Sequence, residues 1–379
     1  MQPGTPYYSY DISLLHRTLA AAKSAAKRYS CGSSVPSHIH YAVKANHNPV
    51  ILKLVATAGL GADCVSGGEI REALVAGFKA EDIVYAGVGK TDEEIHFALN
   101  VGIGCFNVES LEELEVISGI ADEKGKAARV ALRINPDVGA HTHENITTGK
   151  AENKFGINLE KVPEVVQAAR TLPGIELTGI HFHIGSQILD MGDFQSLCVR
   201  ANSLLEWFAD NGVQLRSVNV GGGLGIDYEH PEIHPIADFD SYFQTFARNL
   251  RLSPGQELHC ELGRSIVGQC GTLVSKCIYV KKGTVKKFVI VDAGMNDLVR
   301  PALYHAVHKI ENVSASPDSP REVYDVVGPI CESSDCFARD ISLPLVHRGD
   351  IIAIRSAGAY GESMASTYNS RPLPGSEFL

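Results

Sequence analysis

The residues best suited to chemistry in this chain begin with Tyr41-Ala-Val-Lys44-Ala-Asn46, where one lysine closes a short run of strand character at 38–43. An Asn-His-Asn-Pro turn follows directly. A lysine amine forms Schiff bases with carbonyl compounds, and burial shifts it toward the neutral, nucleophilic form. A single lysine at a strand end more often only carries its ammonium to water, so its meaning depends on its company. Further along, Asp63, Arg133, His181-Phe-His183-Ile-Gly-Ser186, Gly221-Gly-Gly-Leu-Gly225 and Glu261-Leu-Gly-Arg264 each stand near the end of an apolar run. Polar residues and glycines placed repeatedly at such ends are the pattern of a site assembled from several strands.

The glycine run does not fit G-x-G-x-x-G, because Ile226 or Tyr228 would take the last position, and a Rossmann fingerprint is excluded on spacing. Glycines after a strand often make only a turn. In a barrel, however, the loops after the seventh and eighth strands frequently hold phosphate on backbone N–H groups. The His-x-His pairs at 38/40, 141/143 and 181/183 have no Cys or carboxylate cluster beside them, so no metal is expected.

The elements that must position these residues repeat. Strand candidates fall at 38–43, 61–65, 83–86, 103–107, 128–134, 176–183, 217–221 and 257–261. Helix-like segments lie between most of them, at 67–77 (with Ser66 as N-cap), 91–100, 110–121 and 193–210 among others. Eight alternating pairs predict an α/β chain with a (β/α)8 TIM-type barrel, ahead of an open doubly wound sheet. After Gly263 the texture turns β-rich, at 271–283, 284–293, 322–327 and 349–357. A strand at 5–11 has no barrel partner by count and is free to pair into that second part, and 12–29 has helical spacing. The expected organisation is a barrel at 25–263 and a C-terminal mainly β domain joined by 1–24, at 264–379. The last five residues, 375–379, could be an appended tail and carry no expectation.

With 379 residues, 44% of them hydrophobic and 21% charged, the chain can bury a sizeable core. A net charge of −10 without a basic cluster argues against nucleic acid and for a small-molecule partner. No run approaches the roughly 18 apolar residues of a membrane span, and the N-terminal residues lack a signal-peptide layout. A cytoplasmic protein is expected. Nine scattered cysteines without CxxC spacing suit reduced thiols.

Taken in order, Tyr41-Ala-Val-Lys-Ala-Asn46, His181-Phe-His-Ile-Gly-Ser-Gln187, Gly221-Gly-Gly-Leu-Gly-Ile226, Glu261-Leu-Gly-Arg264, Asp292-Ala-Gly-Met-Asn-Asp-Leu298, Arg300-Pro301, Gly328-Pro-Ile-Cys-Glu-Ser-Ser-Asp335 and Gly358-Ala-Tyr360 resemble the motif series of the diaminopimelate decarboxylase family. These are fold type III (alanine-racemase-like) enzymes dependent on pyridoxal 5'-phosphate. The resemblance is colinear over nearly the whole chain. It departs at Leu262, where the family usually has proline, and the chain is somewhat short for the family.

The resemblance implies decarboxylation of meso-2,6-diaminopimelate to L-lysine and carbon dioxide. Lys44 would hold the cofactor covalently and His183 would stack on its ring. Ser186, with the backbone of Gly221, Gly222, Gly223, Leu262, Gly263 and Arg264, would hold its phosphate. Glu261 would pair with the pyridine nitrogen, with Asp63 and Arg133 near the lysine and cofactor. Cys331 would supply a proton as general acid. Arg264, Arg300, Tyr304, Glu332 and Tyr360 would bind substrate, Tyr360 also near the cofactor. In the family, Cys331 and Glu332 serve the partner's site, which implies a homodimer. The rival readings are a relative acting on ornithine, arginine or carboxynorspermidine, and a catalytically dead, cofactor-free regulator on the same fold. Joint retention of Lys44, Glu261 and Cys331 speaks against the latter.

Overall fold

A computed structural model describes residues 4–30, 35–138, 154–316 and 318–379, so the His141/His143 pair lies outside the described residues. The chain opens with β1 (Tyr7–Tyr10) and α1 (Ile12–Ser30). Eight strands follow: β2 (Ser37–Ala42), β3 (Gly61–Cys64), β4 (Ile83–Tyr85), β5 (Cys105–Val108), β6 (Ala128–Arg133), β7 (Ile175–His181), β8 (Ser217–Asn219) and β9 (Glu257–Leu262). They close into a parallel barrel in chain order, with β2 pairing both β3 and β9. Between them run α2 (Pro49–Thr57), α3 (Gly67–Ala76), α4 (Asp92–Val101), α5 (Leu111–Glu123), α6 (Val162–Thr171), α7 (Met191–Asp210) and α8 (Phe239–Asn249). The expected barrel is found, with the C-terminal strand ends moved by one or two residues.

Local sequence explains why these helices begin where they do. Asn48, Ser66, Ser110, Asp190 and Asp238 each accept a first-turn N–H on the side chain. Thr91 and Glu94 form a reciprocal capping box at α4. Each such cap stabilises its helix by about 1 kcal/mol. Amphipathic spacing then turns the helices inward. Phe239, Tyr242, Phe243 and Phe246 line one face of α8 and are buried, with Tyr242 meeting Phe194 of α7 edge-on at 5.0 Å between ring centroids.

The second unit is built on a sheet. After α9 (Arg264–Val267) come β10 (Gly271–Lys282), β11 (Lys287–Val291), α10 (Arg300–Tyr304), β12 (Ile310–Asn312), β13 (Arg321–Val327), β14 (Cys336–Pro344), β15 (Ile351–Ile354) and β16 (Gly375–Phe378). The sheet runs β12-β15-β10-β11-β13-β14, with β1 antiparallel to β10 and parallel to β16. The first strand therefore joins this unit. The last five residues are no loose tail, since Phe378 stacks on Tyr10 at 5.5 Å and Leu379 donates its N–H to the Tyr10 carbonyl. The compact units are Leu19–Gly225 with Asp238–Gly263, and the rest of the chain. Ile226–Ala237 thus clusters with the β unit, although the barrel was expected to run unbroken over 25–263.

Candidate active site

At the C-terminal ends of the barrel strands, Lys44 sits in a single 3-10 turn, Val43–Ala45, directly after β2. Val43 and Ala45 are fully buried, while the Lys44 side chain between them is 40% exposed. Its Nζ lies 3.3 Å from Oδ2 of Asp63, the third residue of β3, which is wholly buried. Burial and the charge of Glu261 push the Asp63 carboxyl up to about 6, against the pull of Lys44. Its Oδ1 is buried and has no hydrogen-bond partner among the described residues.

Four strands meet at Glu261. Its Oε1 accepts from Asn107 Nδ2 of β5 at 2.9 Å and from Asn219 Nδ2 of β8 at 2.7 Å. His181 of β7 reaches Oε2 with Nε2 at 3.0 Å. Burial alone would raise this carboxyl, but His181 and then Lys44 hold it well below the usual range, so it is ionised. Three donors use three of about four acceptor directions on a carboxylate, which leaves one on Oε2.

His183, two residues beyond β7, accepts the Gly222 N–H on Nδ1 at 3.3 Å, which places its proton on Nε2. Burial, then the charges of Arg133 and Lys44, lower its pKa, and the ring is neutral. Arg133 ends β6, and its Nη1 donates to Glu109 Oε1 at 2.7 Å while the guanidinium lies over the Phe155 ring at 4.8 Å. The glycine run is held by its neighbours. Gly221 has φ of 72°, and a Cβ on Gly222 would run into the carbonyl oxygen of Glu261. Ser186 is half-buried after β7, and Leu262 and Gly263 are buried at the end of β9.

The β unit carries a second cluster. Arg264 and Arg300 are 6% and 5% exposed, and both guanidiniums lie over Tyr228, at 5.8 and 4.9 Å. Arg264 donates to the Tyr228 hydroxyl at 2.6 Å and lies over Tyr360 at 5.0 Å. Arg300 donates to His308 Nε2 at 2.8 Å, because His308 Nδ1 is committed to the Arg355 carbonyl at 2.8 Å. Among the described residues no carboxylate lies within ion-pair distance of Arg300. Tyr304 is half-buried at the end of α10.

Cys331 and Glu332 are exposed on a turn that the buried Asp335 carboxylate pins by accepting N–H groups of Ile330 and Met295, each at 2.7 Å. The Glu332 carboxylate accepts from the Tyr368 hydroxyl at 2.6 Å. Sequence reasoning did not single out Asn107, Asn219, Glu109, Tyr228 or His308. For Asn107 and Asn219 the available signal was a polar residue near the end of an apolar strand, two residues before Gly221 in the second case.

The pyridoxal-binding domain of the pyridoxal-dependent decarboxylases matches residues 16–268. A diaminopimelate decarboxylase of Bacteroides thetaiotaomicron is 58% identical over 98% of this chain and 94% of its own length. The solved diaminopimelate decarboxylase of Helicobacter pylori, complexed with L-lysine, superposes with a TM-score of 0.92 at 43% identity, over 100% of this chain and 92% of that one. The enzyme from M. jannaschii, also in complex with L-lysine, gives 0.91 at 36% identity, over 99% and 87%. Identity of this extent over the full length of both units, on a barrel whose strand ends carry Lys44 and Glu261, places the chain in the diaminopimelate decarboxylase family of pyridoxal-dependent decarboxylases.

Proposed function

We propose that the chain decarboxylates meso-2,6-diaminopimelate to L-lysine and carbon dioxide, the last step of lysine biosynthesis, with pyridoxal 5'-phosphate held in the barrel. The observation that carries this reading is Glu261, a buried carboxylate kept ionised by three protein donors with one acceptor direction left over. That direction suits a protonated ring nitrogen, and the bare Oδ1 of Asp63 beside Lys44 is a second polar atom in want of a donor. The residues present therefore fit the cofactor. Lys44 would hold it, His183 would stack on its ring, and Ser186 with the backbone of 221–223 and 262–264 would take its phosphate, with Asp63 and Arg133 close by. Bound there, pyridoxal phosphate supplies an electron sink for the pair left behind when the carboxylate departs.

The remaining work falls to side chains of the chain itself. Glu261, as an anion, would hold a proton on the cofactor's ring nitrogen. Cys331 delivers a proton to the substrate carbon as general acid. The far end of diaminopimelate carries a carboxylate and an ammonium together, so its recognition needs both signs of charge. Buried Arg300, which has no carboxylate partner among the described residues, and Arg264 can grip the carboxylate, Glu332 the ammonium, and Tyr304 and Tyr360 complete the grip. Exposure of Cys331 and Glu332 in the single chain supports their offer to a second copy in a homodimer. The same reading divides the labour between a cofactor-holding barrel unit, Leu19–Gly225 with Asp238–Gly263, and a β unit formed by the rest of the chain. It also places the protein in the cytoplasm, where the eight described cysteines, all free, would stay reduced.

The test is to incubate the purified protein with pyridoxal phosphate and meso-diaminopimelate, ornithine or arginine, following carbon dioxide and product. Diaminopimelate should be strongly preferred. Arg300→Ala should lower kcat/KM for it about tenfold to a hundredfold, as expected for a lost charged partner, with cofactor absorbance unchanged. Equal turnover of ornithine by the wild type would overturn the substrate assignment.

A further inference from the structure

At the opposite end of the barrel from Lys44 and Glu261, the first residues of β2 and β9 bring together His38, Glu257 and His259. Strand pairing sets His38 beside His259 and His40 beside Glu261, at the seam where the last strand of the barrel meets the first. One ligand atom from each of His38, Glu257 and His259 lies within 4.8 Å of the other two. Glu257 Oε2 is 3.4 Å from His38 Nε2 and 3.5 Å from His259 Nε2. Sequence spacing suggested no metal because no carboxylate stood near the His38/His40 pair. The fold supplies Glu257 and His259 from 219 residues away, the separation of His40 and His259.

Hydrogen bonds behind the cluster decide which way its lone pairs point. The Asp82 carbonyl can only accept, so His40 Nδ1, at 3.2 Å, carries a proton. His40 is buried with no carboxylate partner among the described residues, and its neutral ring presents a lone pair on Nε2. His259 Nδ1, 2.8 Å away, therefore donates to it. That leaves the His259 lone pair on Nε2, an atom that is buried and has no hydrogen-bond partner among the described residues. It faces a carboxylate oxygen, and two acceptors facing each other are reconciled by a cation between them. An imidazole whose second nitrogen is oriented by a protein acceptor is the usual supporting arrangement for a metal-bound histidine. The side chains of His38 and Glu257 are 46% and 43% exposed, which leaves an entry path and room for a water ligand.

We propose that His38, Glu257 and His259 bind a divalent transition-metal ion at the closing seam of the barrel, with His40 as the residue that orients His259. Two imidazole nitrogens and one carboxylate oxygen suit Zn²⁺, Co²⁺ or Ni²⁺ and not Mg²⁺ or Ca²⁺, which take oxygen ligands. The ion staples β2 to β9 and stabilises the folded barrel by binding it and not the unfolded chain.

The experiment is a Co²⁺ titration of the untagged, chelator-treated, full-length protein without substrate. One equivalent should give a saturable visible d–d band with no thiolate charge-transfer band in the near ultraviolet, and Zn²⁺ should displace it and raise the melting temperature. His38→Gln and Glu257→Gln sit at the exposed rim and should fold with unchanged circular dichroism, yet bind at least about tenfold more weakly. His40→Gln should weaken binding about tenfold to a hundredfold without removing a ligand. Absence of saturable binding, wild-type affinity in both rim variants, or loss of binding in Cys331→Ala instead would each overturn the assignment.

Discussion

Glu261, charged by its partners in spite of burial, and His308, kept neutral by burial, show two ways in which the interior sets protonation. Glu261 is ionised because His181 and two amides solvate it in place of water. Glu261→Gln removes the anion and sets an amide N–H₂ or an unpaired oxygen against His181. We expect kcat to fall at least about a hundredfold, the scale for losing one preorganised charged partner. Borohydride should still fix pyridoxal phosphate to Lys44, which mass spectrometry of the labelled peptide reads independently of activity. His308 is the converse. Burial, then the charge of Arg300, lowers its pKa from 6.5 to about 3, so the folded protein keeps it neutral. The unfolded chain takes up that proton below about pH 6.5. Stability present above that pH is therefore lost as pH falls toward 3, by on the order of 2 kcal/mol at pH 5. Thermal melts from pH 7.5 to 5 should drop more steeply for the wild type than for His308→Gln. Parallel curves would mean that His308 is already protonated in the fold.

Elements differ in how much freedom they leave a residue, and two glycines make the contrast measurable. Gly222 stands where the chain after β8 presses on the end of β9, and an added Cβ would strike the Glu261 carbonyl. Gly222→Ala should displace the strand end that carries Glu261, with a melting temperature lowered by several degrees and weaker cofactor retention. Gly119 lies within α5, and a Cβ there meets nothing within 4 Å. Gly119→Ala should stabilise by about 0.5–1 kcal/mol through the unfolded chain's lost freedom. A Gly222→Ala protein as stable as Gly119→Ala would contradict the packing described here.

The whole molecule poses the question of how many chains make one site. Cys331 and Glu332 stand exposed, although buried Asp335 and the Asn369 side chain hold their turn in place. Ordering an exposed thiol in this way is consistent with a use in a second copy. If the working unit is a two-fold dimer with shared sites, inactive Lys44→Ala and inactive Cys331→Ala chains mixed equally should form half hybrid dimers, each with one intact site. Activity should return to about a quarter of wild type. Proven subunit exchange with no recovery would place both residues in the same chain's site.

The barrel, its eight strands and the residues at their ends were legible in the sequence because a parallel barrel writes a local period: buried runs, capped amphipathic helices, and functional groups at one end of each strand. Lys44, Asp63, Arg133, His183 and Glu261 could be named from that period alone. The short or half-exposed strands β12, β14 and β16 were not legible, because pairing with distant strands defines them and their own hydrophobicity does not. The same holds within the sites. That Glu261 is ionised depends on Asn107, His181 and Asn219, and that Glu257 faces two histidines depends on β9 lying against β2. Hydrogen bonding and charge act across a few ångströms irrespective of separation along the chain, so residue types at strand ends were set by sequence, while their protonation and partners were decided only when the barrel closed.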